Sequence, residues 1–211
     1  MSTHLDGRDT RWAEHRRLRR KELVESTLRA IRHHGATVSL DDIAAVAGTS
    51  KPVFYRHFGD RPGLYRAVVE KTAQFILDDL QASVSWASDD LPALVRELAQ
   101  AYLQLVQHDP EIYRFVMSRP LVDGEPTDDP VAGLTMRIGT RMADILRAGG
   151  YPADRADTWG HALVGAVRAA TDQWIRSGMQ RAAEDVADDL AALVGPAFTT
   201  SALTTANEEY R

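Results

Sequence analysis

The sequence predicts an all-α chain of about nine helices, with a small three-helix head at the N-terminal end and a larger helical body behind it. Three observations carry this reading. Apolar residues recur at helical spacing in segment after segment, from Leu23 to Val194. The stretch Thr37–Val68 reads as three short helices separated by tight turns, and one of its faces is too apolar for a linker. Charge is also unevenly spread: residues 1–61 hold 12 Lys and Arg against 8 Asp and Glu, whereas residues 62–211 hold 13 against 22. A net of +4 at one end of a chain of net charge −5 suits a head that meets a polyanion and a body that does not.

The first helix of the tight unit has Leu40, Ile43, Ala44 and Ala47 on one stripe. Ser39 precedes it with Asp42 three residues on, the spacing of a capping box. Gly48 ends it, since glycine turns most readily through a left-handed conformation. Ser50 then caps a second helix, and Pro52 falls in its first turn, where a missing N–H costs nothing. Phe54, His57 and Phe58 face one side of this helix; Thr49, Lys51, Pro52, Val53, Tyr55 and Arg56 face the other. Two helices so joined form a helix-turn-helix, whose second member fits a major groove about 12 Å wide. Gly59 closes it, Asp60 caps the third helix, and Arg61 stands at that helix's mouth.

The remaining chain is read in order. Met1–Thr10 lacks periodicity and is expected to be disordered, so residues 1–15 form a flexible basic arm, with Arg8 and Arg11 placed to neutralise phosphates or enter a minor groove. Helix one runs to His34 with Leu23, Thr27, Leu28 and Ile31 inward, and Gly35 closes it. His33 and His34 point about 100° apart on a helix and cannot share one metal. The connector from Pro62 to Ser85 carries Leu64, Tyr65, Val68, Phe75, Ile76 and Leu80, with Asp79 as a polar entry. Roughly 30–37 Å long, it is the natural lever between head and body. Helices follow over Asp89–His108, from Asp109-Pro110 onward, and over Val131–Ala148, Ala153–Ser177 and Gln180–Phe198. Pro196 should kink or end the last one early. Ser118–Pro130 reads as a loop and residues 200–211 as a disordered tail. The domain division is 16–62 for the head and 63–199 for the body.

Several classes of function are excluded. With no cysteine there is no disulfide, thiolate chemistry or cysteine-based metal site. No phosphate loop, His-Glu-x-x-His or nucleophile elbow occurs, the paired carboxylates belong to loops or diverge on helices, and no cofactor or metal is expected. The N-terminus is not a signal peptide and no segment is long and apolar enough to span a bilayer, which points to the cytoplasm. In the body, Phe75, Asp79, Leu98, Tyr102, Tyr113, Phe115, Met117, Met136, Met142, Trp159, His161 and Leu163 are candidate lining for an apolar cavity, although a set of methionine and aromatic residues at helical spacing is most often ordinary core. On the last two helices, small residues alternate with large ones: Ala166, Val167, Ala170, Trp174, Leu190 and Val194 make a candidate helix-packing seam, internal or between copies.

The run from Asp42 to Tyr65, DIAAVAGTSKPVFYRHFGDRPGLY, resembles the DNA-binding signature of the TetR family of bacterial transcriptional regulators. The specific likeness spans roughly residues 18–68, with length and helical character agreeing beyond it. It departs from the usual pattern at Thr49, where an aliphatic residue is normal, and at Arg61, where a lysine is. By this resemblance the body becomes an effector-binding and dimerisation domain. Lys51, Val53, Tyr55 and Arg61 become DNA contacts, with Tyr55 on a phosphate and Val53 near a thymine methyl; Ser39, Thr49, Ser50 and Pro52 are further candidates beside them, and Arg56 faces either DNA or solvent. The last two helices would pair copies as a four-helix bundle, setting two heads on a near-palindromic operator. The implied function is a dimeric repressor released from double-stranded DNA by a mostly apolar effector. An activator or global DNA-binding member of the same family is the alternative, as is a helical module without DNA binding.

Overall fold

The computed structural model describes residues 7–83, 90–118 and 130–198, and among these are nine α-helices. They are α1 (Gly7–His34), α2 (Leu40–Val46), α3 (Lys51–Phe58), α4 (Arg61–Ser83), α5 (Leu91–His108), α6 (Pro110–Ser118), α7 (Pro130–Ala148), α8 (Ala153–Arg176) and α9 (Ala183–Phe198). The expected loop over 119–129 and the tail after Phe198 lie outside the described residues, as do the first six residues of the expected arm.

The chain divides into two compact units. One holds α1, α2, α3, α4 as far as Thr72, and α6. Here Leu23, Leu28 and Ile31 of α1 are buried with Leu40 and Ile43 of α2, Phe54 and Phe58 of α3, and Leu64, Tyr65 and Val68 of α4. Thr27, inward as the spacing requires, satisfies its hydroxyl on the Leu23 carbonyl at 2.8 Å. Each such aliphatic or aromatic side chain contributes roughly 1.5–3 kcal/mol by leaving water, so the small head is held chiefly by this stripe.

α6 was expected in the body, yet it packs with the head. Tyr65 donates its phenolic hydrogen to the Val116 carbonyl at 2.7 Å, and its ring lies 6.0 Å from that of Phe115. Glu111 accepts the Ala36 backbone N–H at 2.9 Å, just after Gly35 ends α1 at φ +87°. Sequence spacing shows that Ile112, Phe115 and Val116 share a face, but not what that face meets.

The second unit holds the rest of α4 with α5, α7, α8 and α9. One buried cluster joins Leu80, Leu91, Leu94, Val95, Leu98, Ala101, Met142, Leu146, Ala156 and Leu163. Another joins Ala99, Leu103, Val167, Trp174, Ala183, Val186, Ala187 and Leu190. α7 and α8 cross closely because Gly160 faces α7: a Cβ there would stand 2.6 Å from both the Ala143 nitrogen and the Gly139 oxygen. Pro196 lies within the final turn of α9, which continues to Phe198.

α1 differs most from expectation. It begins at Gly7, so residues 7–15 are helix and not a flexible arm. The run has no apolar periodicity because residues 11–18 are all exposed, and a helix that buries nothing leaves no stripe in the sequence.

Candidate nucleic-acid interface

The head builds one rigid corner. The Ser39 hydroxyl accepts the Asp42 N–H at 3.2 Å and donates to the Asp42 carboxylate at 2.6 Å, fixing the start of α2. That hydrogen bond is the main reason the Asp42 carboxyl is held below its ordinary value. Gly48 adopts φ +59°, and the Thr49 N–H returns to the Ala44 carbonyl at 3.0 Å. Ser50 is extended ahead of α3, with Pro52 in the first turn and no side-chain cap bond. Phe54 and Phe58 are buried with their rings stacked 5.9 Å apart.

The far end of α3 is tied down as well. Arg20 donates to the His57 carbonyl at 2.8 Å, and its guanidinium lies 4.5 Å from the centre of the Phe58 ring. Burial, followed by the charges of Arg56, Arg19 and Arg20, lowers the His57 pKa from its ordinary value. At the next corner Asp60 accepts the Gly63 N–H at 2.7 Å. Only glycine fits there, because a Cβ on Gly63 would stand 2.0 Å from the Phe58 carbonyl oxygen.

This scaffold leaves Ser50, Lys51, Pro52, Tyr55, Arg56 and Arg61 exposed, with Thr49 and Val53 half-buried beside them. Lys51 lies within electrostatic reach of both Tyr55 and Arg61. The structure thus brings most of the expected DNA-facing set together. Three members are placed otherwise. Ser39 has its hydroxyl engaged in the α2 cap. Arg8 and Arg11 belong to α1; a helix is about 10–12 Å across, so they cannot thread a minor groove about 6 Å wide as an extended arm. The residue that sequence reasoning missed is Asp41, whose carboxylate meets the Lys51 ammonium at 2.8 Å. It lies ten positions from Lys51, across the Gly48 turn, a relationship that helical spacing cannot reveal.

The expected effector residues do not gather into one pocket. Tyr113, Phe115 and Met117 are on α6 in the head unit, where Phe115 is core. Phe75 and Met136 are exposed, at 54% and 56%. Leu98, Met142 and Leu163 are brought together in a buried cluster with Trp159 against it, while Tyr102 packs on the other cluster. Asp79 is half-buried on α4. His161 donates from Nδ1 to the Asp157 carbonyl at 2.7 Å, leaving Nε2 buried without a partner among the described residues. An open surface groove of about 300 Å³ lies on the head unit, lined by Arg17, Arg20, Lys21, Val24, Ala67, Glu70 and Lys71.

The expected seam between copies is likewise corrected. Val167, Trp174 and Leu190 are buried within their own chain, and the Trp174 Nε1–H donates to the Arg181 carbonyl at 2.9 Å. Ala166 and Ala170 pack against that same cluster and Val194 against the other. For Val167, Trp174 and Leu190 the partner is the chain's own core, while Ala166, Ala170 and Val194 stay half-buried at its edge. Among the exposed residues of α8 are the small ones Ala162, Gly165 and Ala169, which share one side of the helix, and on α9 Leu193 is 72% exposed.

A rigid helix-turn-helix with lysine, tyrosine and arginines on its open face, carried by an otherwise helical chain, defines a DNA-binding transcriptional regulator. The comparisons with known proteins agree. Residues 23–68 match the model for bacterial regulatory proteins of the tetR family, and residues 79–207 match a tetracyclin repressor-like C-terminal domain. The chain belongs to the TetR family, whose members are regulators that bind DNA and dimerise, not enzymes. It is 34% identical, over 92% of its length and 82% of the relative's, to an uncharacterised HTH-type transcriptional regulator of Mycobacterium tuberculosis. It is 28% identical, over 59% of its length and 56% of the relative's, to the HTH-type transcriptional activator FasR of Mycolicibacterium smegmatis. A tetR-family regulator from Streptomyces coelicolor shares the fold with a TM-score of 0.66 at 19% identity, covering 83% of this chain and 78% of that one. No helix among the described residues is long and apolar enough to cross a membrane.

Proposed function

We propose that the protein is a dimeric, cytoplasmic repressor that leaves a near-palindromic operator when a mostly apolar small molecule binds its body. The observation carrying the DNA half is the exposed set Lys51, Tyr55 and Arg56 on α3, whose inner face is locked by Phe54 and Phe58, with Arg61 exposed at the start of α4. Tyr55 and Arg61 engage phosphates, and Val53 sits where a thymine methyl would meet it. For the dimer, the exposed row Ala162, Gly165 and Ala169 of α8, with Leu193 of α9, supports a close helix-to-helix seam. For the effector, the cluster around Leu98, Met142, Trp159 and Leu163 favours an apolar ligand, and the unpartnered Nε2 of His161 offers one acceptor to orient it.

Activation is the second reading, favoured by the likeness to an activator. The sign of regulation follows from where the operator lies relative to a promoter. The test is native mass spectrometry of freshly purified protein, followed by operator titrations with whatever co-purifies. A co-purifying compound that weakens operator binding supports release by an effector, and the position of the selected operator relative to its promoter then separates repression from activation. A compound that binds the body and leaves operator affinity unchanged contradicts its assignment as effector, because two coupled sites alter each other's affinity reciprocally.

A further inference from the structure

Asp41 is the second residue of α2 and Lys51 the first of α3. The ammonium lies 2.8 Å from one carboxylate oxygen and 3.0 Å from the other, with the two side chains 74% and 45% exposed. Both therefore stand where an approaching phosphate would meet them, and a phosphate drawn to Lys51 also meets a carboxylate. The hydrogen bond that Lys51 donates to the Asp41 carboxylate, with the attraction between the two charges, raises the lysine pKa from its ordinary value. It is nonetheless an exposed pair that water and ions reach, so it opens at modest cost.

We propose that Asp41 acts as an electrostatic brake on sequence-indifferent DNA binding, keeping Lys51 paired until close docking on a matching operator moves it to a phosphate. The inference rests on the reading of Lys51 as a DNA contact. On a mixed-sequence duplex the head rides loosely, Lys51 stays with Asp41, and the pair contributes no released counterion. On the operator, base contacts hold α3 in place, the pair opens, and Lys51 neutralises one phosphate. Specificity gains because the carboxylate competes most where binding is weakest.

The test uses the full-length protein on a mixed-sequence duplex without the operator and on an operator selected from a random pool, titrated across about 50–200 mM salt. Asp41→Asn keeps the shape and the polar start of α2 while freeing Lys51. It should tighten mixed-sequence binding about three- to tenfold at the low-salt end and steepen the log–log salt slope there by about 0.9, with little slope change on the operator. In a Lys51→Gln background the same substitution should leave the slope unchanged and give a clearly smaller gain in affinity, the remainder due to the carboxylate's own repulsion. An equal gain with and without Lys51 would show that Asp41 acts through its own charge, and the brake would be wrong; no gain in either would overturn it as well. If Lys51→Gln leaves operator affinity and slope untouched, the reading of Lys51 as a contact fails and the inference with it. If Lys51→Gln weakens the operator but Asp41→Asn does nothing, only the inference fails. Asp41→Ser, titrated beside Asp41→Asn, preserves a helix-start side chain and gives the same readout should the amide variant fold poorly.

Discussion

Arg32 grips Asp109 with two parallel hydrogen bonds, Nε to Oδ1 at 2.7 Å and Nη2 to Oδ2 at 2.9 Å, across 77 residues of sequence. Arg32 lies in the last turn of α1 and Asp109 immediately ahead of α6, so the fork fastens the start of α6 to the head. The Asp109 bond is also the largest cause of the raised Arg32 pKa. A planar fork matching a carboxylate is a geometry that lysine cannot reproduce.

Arg32→Ala should therefore cost about 1 kcal/mol of head stability, and Arg32→Lys should recover less than half of it. Urea unfolding of the three proteins checks this. A lysine variant as stable as the parent would mean that charge alone, and not the fork, holds α6 in place.

Ser39→Ala removes the α2 cap and should cost about 1 kcal/mol near neutral pH. The Asp42 carboxyl is depressed below its ordinary 3.8, so its contribution is present above that value and lost as pH falls through the lower, folded one. Thermal unfolding of parent and variant should differ by a constant amount near neutrality and by less in acid, where only the Asp42 N–H bond to Ser39 remains. A gap that persists unchanged down the acid limb would show that the cap does not act through Asp42.

These two features show what the sequence made legible. The cap was readable because its partners stand three residues apart, within the reach of a local rule. The α1–α6 fork, the Lys51–Asp41 pair and the Tyr65–Val116 bond join residues that only the folded chain brings near, so no periodicity announces them. The helices and the head's inner face followed from apolar spacing, which records that a side chain is buried. Spacing does not record against what it is buried. For that reason Trp174 could be read as a seam between copies when it belongs to its own core, and Phe115 as cavity lining when it packs on Tyr65. Tyr55, Lys51 and Arg61 are named from the local signature, and the structure leaves all three exposed.

Trp174 and Ala169 should separate folding from assembly. Trp174→Ala opens a void in a well-packed cluster and should destabilise the body by about 3–5 kcal/mol. Ala169→Arg places a bulky charge on the exposed row and should leave the fold intact while dissociating the dimer. Circular dichroism and sedimentation on the same samples read both. A folded, fully dimeric Ala169→Arg protein would put the seam elsewhere.

Gly63→Ala forces a methyl against the Phe58 carbonyl oxygen. The α3–α4 corner must shift, at a cost of about 1–3 kcal/mol. Operator affinity should fall more than affinity for a mixed-sequence duplex, since a displaced α3 loses base contacts before it loses charge. Equal losses on both duplexes would mean that the corner supports the fold without setting the angle of α3.

The central claim is that the open face of α3 engages DNA, and titrating a matched pair of proteins tests it most directly. Operators are first selected with the parent protein from a randomised duplex pool. The selected sequences should show two related half-sites about 34–36 Å, one helical turn, or a multiple of that apart. Tyr55→Phe, which removes one hydroxyl from the exposed face and nothing from the core, is then titrated beside the parent on that operator and on a mixed-sequence duplex. The account predicts weaker binding of both by the variant, because a phosphate bond carries no sequence information. Unchanged affinity for both duplexes would contradict the Tyr55 assignment, and a pool that yields no enriched sequence would contradict the claim itself.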